Sequence, residues 1–366
     1  MRKLRILHAP AIITHQQWTI SRAQRQLGHK SDVMTFNANM PNLLFRKCDI
    51  NLNFNRNHMG FSPSKIVPTA WFVLRFAVFF IIALFKYDVF HFHSESFLGS
   101  HSDLDLRILR FFRKKIVFQY WGCDIRLKTM SLLDEAASTC RNCIRACQNT
   151  RKYRDMINHL KFADFRVYGG ADCSRFVPDA LFLQIGIDLN NWLPADEIPI
   201  EHRLKSVAVD TIRILQPFEN KDARGDQKGV RFAKAAAEAL KREGRKIDYI
   251  VLDGVPLEAM KYYYQQADIV IDQFTTGWHG NVSVEAMAMS RPVLCYLSDE
   301  ALRLLPEGNP IVNTPADRVK EKLSELIEDR KLRQDIGRQG RNYIEKYYDS
   351  LKVAKEWISL YNANHR

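Results

Sequence analysis

Three cations crowd one short loop: Lys221, Arg224 and Lys228 in "ENKDARGDQKGVRFAKAA", the last directly before Gly229 and the first turn of a helical pattern. Positive side chains beside the amino end of a helix suit anionic oxygens, because the first turn offers unpaired N–H groups and the positive end of its dipole. A second such opening lies in "TTGWHGNVSVEAMAMSRPVLCY", where Gly280, Asn281 and Val282 start a helix after a glycine turn. Asp272 and His279 stand before that turn and Glu285 inside the helix, so carboxylates and an imidazole flank the same opening. In the first half of the chain Trp121 ends the apolar run "IVFQYW", and Asp124 and Arg126 follow it. An indole presents an apolar face for stacking on another ring but cannot shuttle a proton. The aspartate either binds a ligand hydroxyl or serves structure, capping a turn or pairing with Arg126.

Two further groups carry ligating chemistry. His91 and His93 in "FHFHSES" alternate along a strand and share one face, as core histidines or with one of them at a cleft. Cys140, Cys143 and Cys147 in "CRNCIRAC" have metal-compatible spacing, with Cys123 as a fourth thiolate by folding. A closed zinc site needs four ligands and there is no second CxxC pair, so packed or redox-active thiols are the reading taken and no metal is expected.

These residues need elements to hold them, and strand and helix signals alternate along almost the whole chain. "LRILHAP" reads as a strand, "WTISRAQRQLGH" as a helix stopped near Gly28, and "SDVMTF" as the next strand. "DVFHFH" and "KIVFQYWG" continue the series, each after a helical stretch, which is the order of a parallel sheet with helices on its faces. After "FLQIGIDLNNWLP" the pattern lapses into a polar stretch with Pro194 and Pro199, then restarts at "IRILQP". The expected fold is α/β, with two Rossmann-like domains facing a central cleft: residues 1–194, residues 195–344, and a helix over 345–366 crossing back to the first domain. At 366 residues the chain is long enough for two cores.

Composition narrows the classes. With 46% hydrophobic and 26% charged residues the chain is globular, and a formal charge of +13 points to acidic partners. That charge is spread along the chain without a nucleic-acid-binding module, so nucleic acid is not the expected partner. Seven cysteines, an odd number, without a recognisable secretory signal suit reduced thiols and a cytoplasmic setting. The run Ile66 to Phe85 is long enough to cross a membrane, but Arg75 in its middle and Pro68 near its start favour a buried or membrane-surface helix. The basic aromatic segment "RILRFFRKK" next in line is either an ordinary charged helix face or a contact with anionic lipid.

In this order, "LGHKSDVMTF", "YDVFHFHSES", "FQYWGCDIR", "LQIGIDLNNW", "KGV", "VPLEAMKYYYQQADIVID" and "EAMAMSRPVL" resemble the GT-B fold glycosyltransferases of the retaining, glycogen-synthase-like group (family 4-like) over nearly the whole chain. The resemblance implies a metal-independent transfer with no cofactor, from a UDP- or GDP-sugar bound by the second domain. The acceptor, bound by the first domain, is a glycan or lipid-linked molecule of surface polysaccharide synthesis, reached on the inner face of the cell membrane. It assigns Lys228 and Arg224, or Lys221 in its place, with Gly229 to the diphosphate, joined by the N–H groups of Gly280, Asn281 and Val282; Glu285 goes to the ribose. In the family a first glutamate lies eight positions before the second; here that position is Gly277, leaving His279 or Asp272 to face the donor sugar. Trp121 stands where many relatives have a histidine, and the first loop, "APAIITHQQWTISRA", lacks the usual glycine pair. The expected catalytic set is Trp121, Asp124 and His279. These departures keep a second reading open, a non-catalytic scaffold that binds nucleotide or glycan.

Overall fold

The computed structural model describes residues 2–10, 14–37, 47–53, 63–131, 140–141, 143, 147, 149–218 and 226–363. Seven parallel strands form the first sheet: β1 (Arg5–Ala9), β2 (Lys30–Thr35), β3 (Ile50–Asn51), β4 (Val89–His93), β5 (Lys115–Tyr120), β6 (Phe165–Tyr168) and β7 (Leu181–Phe182), in the order β3-β2-β1-β4-β5-β6-β7. Five more form the second: β8 (Ile212–Gln216), β9 (Ile247–Val251), β10 (Ile269–Ile271), β11 (Val293–Cys295) and β12 (Val312–Asn313), in the order β12-β11-β10-β8-β9. Every pairing is parallel. Strand order reverses between β1 and β4 and between β8 and β10, and such switch points open ligand crevices at the carboxyl ends of strands.

The central strands are buried along most of their length, mainly by apolar residues with a few imidazoles and amides among them, because both of their faces are covered. On one face of the first sheet Ile6, Val89, Val117 and Val167 meet Ile20 of the helix Gln16–Gln26 and Val353, Trp357 and Ile358 of the helix Ser350–Asn362. The last helix of the chain thus packs on the first sheet. On the other face Leu7, Phe90, Phe92 and Phe118 meet Phe72, Phe80, Ala83 and Leu84 of the helix Pro63–Lys86. Of the two expectations, buried or membrane-surface, the buried one does not hold for its outward face: only 17% of its apolar window is buried, and among the described residues no second layer covers that face. In the second sheet Ile214, Ile269 and Leu294 carry Ala233, Ala236 and Leu240 of the helix Val230–Arg242. Leu215, Val270 and Val293 carry Met260 and Tyr264 of Leu257–Gln266 and Val284 and Met287 of Asn281–Ala288.

The chain passes between the two sheets twice, and the passages are tied together. The Ile187 N–H donates to Tyr348 O at 2.8 Å and the Ser350 N–H to Ile187 O at 2.9 Å. The aromatic C-terminal stretch is two helices, Arg330–Tyr347 and Ser350–Asn362, because Asp349 breaks the run and accepts from the Leu351 N–H at 2.9 Å as a cap. Gly186 sits where a Cβ would lie 2.8 Å from Ile20 Cδ1 and 3.2 Å from Ser350 Cα, so only glycine lets the two passages close.

Candidate active site

A cavity of about 500 Å³ opens between the carboxyl edges of the two sheets. The first sheet contributes Ser94 after β4, Trp121, Asp124 and Arg126 after β5, and Gly170 and Asp172 after β6; the second contributes Lys228, Gln273, Thr276 and the turn Trp278–Asn281. Of the residues singled out in the sequence, Trp121, Asp124, Lys228, His279, Gly280 and Asn281 line this one space. Arg224 and Lys221 lie outside the described residues.

Lys228 ends the cation-rich loop, with Nζ 3.6 Å from the centroid of the Phe218 ring. Gly229 beside it holds φ +75°, and a Cβ there would meet Phe232, Thr275 and Phe274 at 3.0 to 3.3 Å, so this turn into the helix requires glycine. At the second opening Asp272 does not reach the cavity. Its Oδ2 accepts from the Gly280 N–H at 2.6 Å and from Ser283 Oγ at 2.7 Å, capping the helix Asn281–Ala288 from behind. The Gly280 N–H is thereby engaged; Asn281 lines the cavity at the first turn, whereas half-buried Val282 is not among the lining residues and packs against the core of the second sheet. Gly277, where the resembling family has its first acid, holds φ +74°, and its carbonyl accepts from both the backbone and the side chain of Ser298. A left-handed turn, not a side chain, occupies the place.

His279 is buried and stacked on Trp278, with ring centroids 4.5 Å apart. Its Nε2 lies 2.9 Å from Tyr348 Oη, and burial lowers its pKa to about 4. It lines the cavity where the resemblance sets it to face the donor sugar, but as a neutral link between the turn and the second passage, with Nδ1 also 3.3 Å from Gly280 O. Glu285 lies behind the helix opening, buried, accepting from Tyr264 Oη at 2.9 Å, and desolvation raises its carboxyl to about 8.

On the facing side the structure shows the turn-capping role for Asp124: its carboxylate accepts from the Trp121 N–H at 3.0 Å and the Gly122 N–H at 2.7 Å, while burial raises its pKa. Arg126 pairs with Asp172 at 2.6 Å instead of with Asp124. Trp121 lines the cavity, and its buried Nε1 has no hydrogen-bond partner among the described residues. The same holds for Nε2 of Gln227 across the cleft. Two orphaned buried donors on opposite walls suit a ligand with acceptor oxygens.

Sequence reasoning passed over Gln227, Asp172 and the function of Gln16. The Gln16 Nε2 donates to Asn281 Oδ1 at 3.2 Å and its Oε1 accepts from the Gly186 N–H at 3.0 Å, tying the first loop to the second helix opening. The only cue was a polar trio, His15-Gln16-Gln17, at a helix start where glycines are usual.

His91 and His93 belong to the core and not to the cleft. With His8 they form the one group of three potential metal ligands among the described residues, their ligand atoms within 4.8 Å of one another. The His8 Nδ1 is 3.0 Å from His93 Nε2 and its Nε2 is 2.9 Å from Gln24 Oε1, while the His91 and His93 rings stack at 4.3 Å and 21°. Both His8 nitrogens are engaged, while the buried His91 Nε2 and His93 Nδ1 have no hydrogen-bond partner among the described residues. Cys140, Cys143 and Cys147 carry free thiols and make no three-ligand group among the described residues.

Residues 225–343 match the family described as "Glycosyl transferases group 1". Among solved structures, sucrose-phosphate synthase from Thermosynechococcus elongatus superposes with TM-score 0.65 at 14% identity, covering 98% of each chain. The Anabaena protein HepE, solved with UDP and glucose, superposes with TM-score 0.60 at 12% identity over 97% of this chain and 98% of that one. The chain has the GT-B fold, and its second half is similar to the glycosyltransferase group 1 family over residues 225–343. A capsular polysaccharide biosynthesis glycosyltransferase of Staphylococcus aureus, CapM, is 28% identical over 103 residues, 27% of the length of either chain. In this GT-B protein the cleft between the sheets lies at the switch points of both, and the matched segment holds Lys228, the turn and Glu285.

Proposed function

We propose that this protein transfers a sugar from a nucleoside-diphosphate donor to a glycan or lipid-linked acceptor in surface polysaccharide synthesis. The observation that carries this is the cleft itself, where Lys228, the first turn at Asn281 and the orphaned donors of Gln227 and Trp121 line one space fed by both sheets. Lys228 and the helix start receive the diphosphate, so positive protein groups stabilise the leaving charge without a required metal. UDP is the nucleotide in the HepE structure, and a UDP- or GDP-sugar is the donor class proposed here. Trp121 offers its face and indole N–H to the sugar or acceptor.

The proposed transfer retains configuration. Retention rests on the resemblance to the retaining, glycogen-synthase-like group; among the described residues the cavity-wall carboxylates Asp124 and Asp172 serve a turn and an ion pair. The sugar–phosphate bond breaks with its electron pair going to the diphosphate, the acceptor oxygen bonds to the same face of the anomeric carbon, and the acceptor proton passes to the departing phosphate oxygen. Gln16 holds the walls together, and closure excludes water. The site of action is the cytoplasmic face of the cell membrane. Binding calorimetry with a panel of nucleotide sugars tests the reading: at least one should bind in the micromolar range and more tightly than its free nucleotide, and a panel with no such binder refutes it.

A further inference from the structure

We propose that the outer face of the helix Pro63–Lys86 and the basic cavity at its end form a docking surface for an anionic phospholipid bilayer, with the helix lying in the plane of the interface. This rests on the folded surface alone and extends the proposed transfer to where its acceptor is presented.

The helix has 24 residues, about 36 Å at 1.5 Å per residue. Val67, Trp71, Leu74, Val78, Ile82 and Phe85 are each at least half exposed, a continuous apolar stripe of a size that soluble surfaces rarely leave in water. The stripe continues beyond the helix. The Phe85 and Phe112 rings meet edge to face at 6.0 Å, Phe111 is 5.4 Å further on, and Phe111 is 82% exposed.

Phe112 also lines a cavity of about 630 Å³ with Arg2, Arg110, Arg113, Lys114 and Lys115. Five cations line it with two carboxylates, Asp88, paired with Arg5 at 2.8 Å and with Arg2 at 3.6 Å, and Asp164, paired with Arg110 at 2.8 Å, so positive charge is in excess there. Apolar area for the acyl boundary and adjoining cations for headgroup phosphates are the two signals that stable attachment needs together.

The same geometry argues against the other occupants. A spanning helix would have to leave the sheet on which Phe72, Phe80, Ala83 and Leu84 are packed, and Arg75 is exposed midway along it. A second copy would bring two chains of formal charge +13 together, whereas an anionic surface is complementary to that charge. The orientation is also suited to transfer. Phe72 near the helix start packs on Phe36 beyond the carboxyl end of β2, and Lys86 at its other end precedes β4, so the seated helix runs from the cleft edge to the basic cavity.

Flotation of the full chain with vesicles tests this. The protein should float with vesicles of equal parts phosphatidylglycerol and phosphatidylcholine and stay behind with phosphatidylcholine alone. The double variant Trp71→Glu, Ile82→Glu changes exposed positions only, so it should keep its melting temperature and lose at least tenfold in partitioning. Arg2→Gln and Arg113→Gln should each lower partitioning about fivefold, the worth of one cation near an anionic surface. Failure to float, equal flotation with neutral lipid, or a dimer in sedimentation that the double variant splits without any vesicle binding would overturn the proposal. Nucleotide-sugar binding measured on the same samples keeps the two readings apart: intact binding without flotation removes only the docking surface, and flotation without binding supports docking while removing the transfer.

Discussion

Asp272 has the charge to face a sugar, yet both hydrogen bonds it accepts go to the start of the helix Asn281–Ala288. A single acidic letter in a sequence does not say which way a carboxylate turns, and a capping aspartate and a ligand-binding one look alike before a glycine turn. Asp272→Ala should cost about 1–2 kcal/mol, the worth of a good cap, whereas Asp272→Asn should retain most of it because an amide oxygen still accepts. Urea melts of the two variants check this. His279 was equally ambiguous, and its engagement with Tyr348, 69 positions away, could not be read locally. Lys228 and the helix opening were legible because they depend on short-range order: a cation, a glycine, then the first turn. The gap at Gly277 was visible as well, but its cause, a left-handed turn held by Ser298, was not.

At the scale of elements, the alternation of strands and helices placed the central strands, since runs such as "VFHFH" and "KIVFQY" must be covered on both faces. The two-residue strands β3, β7 and β12 escaped notice, being too short for any periodicity. The apolar helix Pro63–Lys86 could not be assigned from composition, because a core helix and a surface-seeking one share the same letters; only its place at the outside of the sheet separates them. Close helix packing gives a sharper test. Gly337, in the helix Arg330–Tyr347, would place a Cβ 2.2 Å from Ser290 O, a backbone atom that cannot rotate away. Gly337→Ala should therefore destabilise by about 1–3 kcal/mol despite alanine's better helix propensity, seen as a lower denaturant midpoint with unchanged slope. A midpoint that rises would show that the helices can separate at no cost.

At the scale of the whole molecule, the fold keeps an unusual number of imidazoles dry. Burial lowers His8, His15 and His279 to about 4 and His159 to about 3, and His91 and His93 fall well below their ordinary value. These six stay neutral in the folded chain while the unfolded chain protonates them below about pH 6.5. Unfolding then takes up protons, so stability is fully present above pH 6.5 and is lost as the pH falls towards 4, by up to about 1.4 kcal/mol per pH unit for each group. Glu285, raised to about 8, Asp155, raised to about 6, and Asp105, Asp124 and Glu356, also raised by burial, work in the opposite sense, losing stability as the pH rises through their folded values. Six imidazoles, joined by Asp32, Asp88 and Glu258, whose ion pairs overcome burial and hold them below the ordinary carboxylate range, outweigh the five raised carboxyls on the acid side: the melting temperature should climb from pH 4.5 to 6.5 and then decline gently towards 8. A profile that is flat or falls over the acid range would contradict the buried neutral histidines.

The central claim is that the cleft between the two sheets turns over a nucleotide sugar, and Lys228 is the side chain that separates an enzyme from a binding scaffold. The direct measurement is the initial rate of nucleoside diphosphate release from UDP- and GDP-sugars, with wild type beside Lys228→Ala. The wild type should release diphosphate slowly without acceptor, and the variant should be at least tenfold slower at an unchanged melting temperature, as loss of a charge-assisted phosphate contact requires. No release from any donor, or equal release by both proteins, would contradict the account.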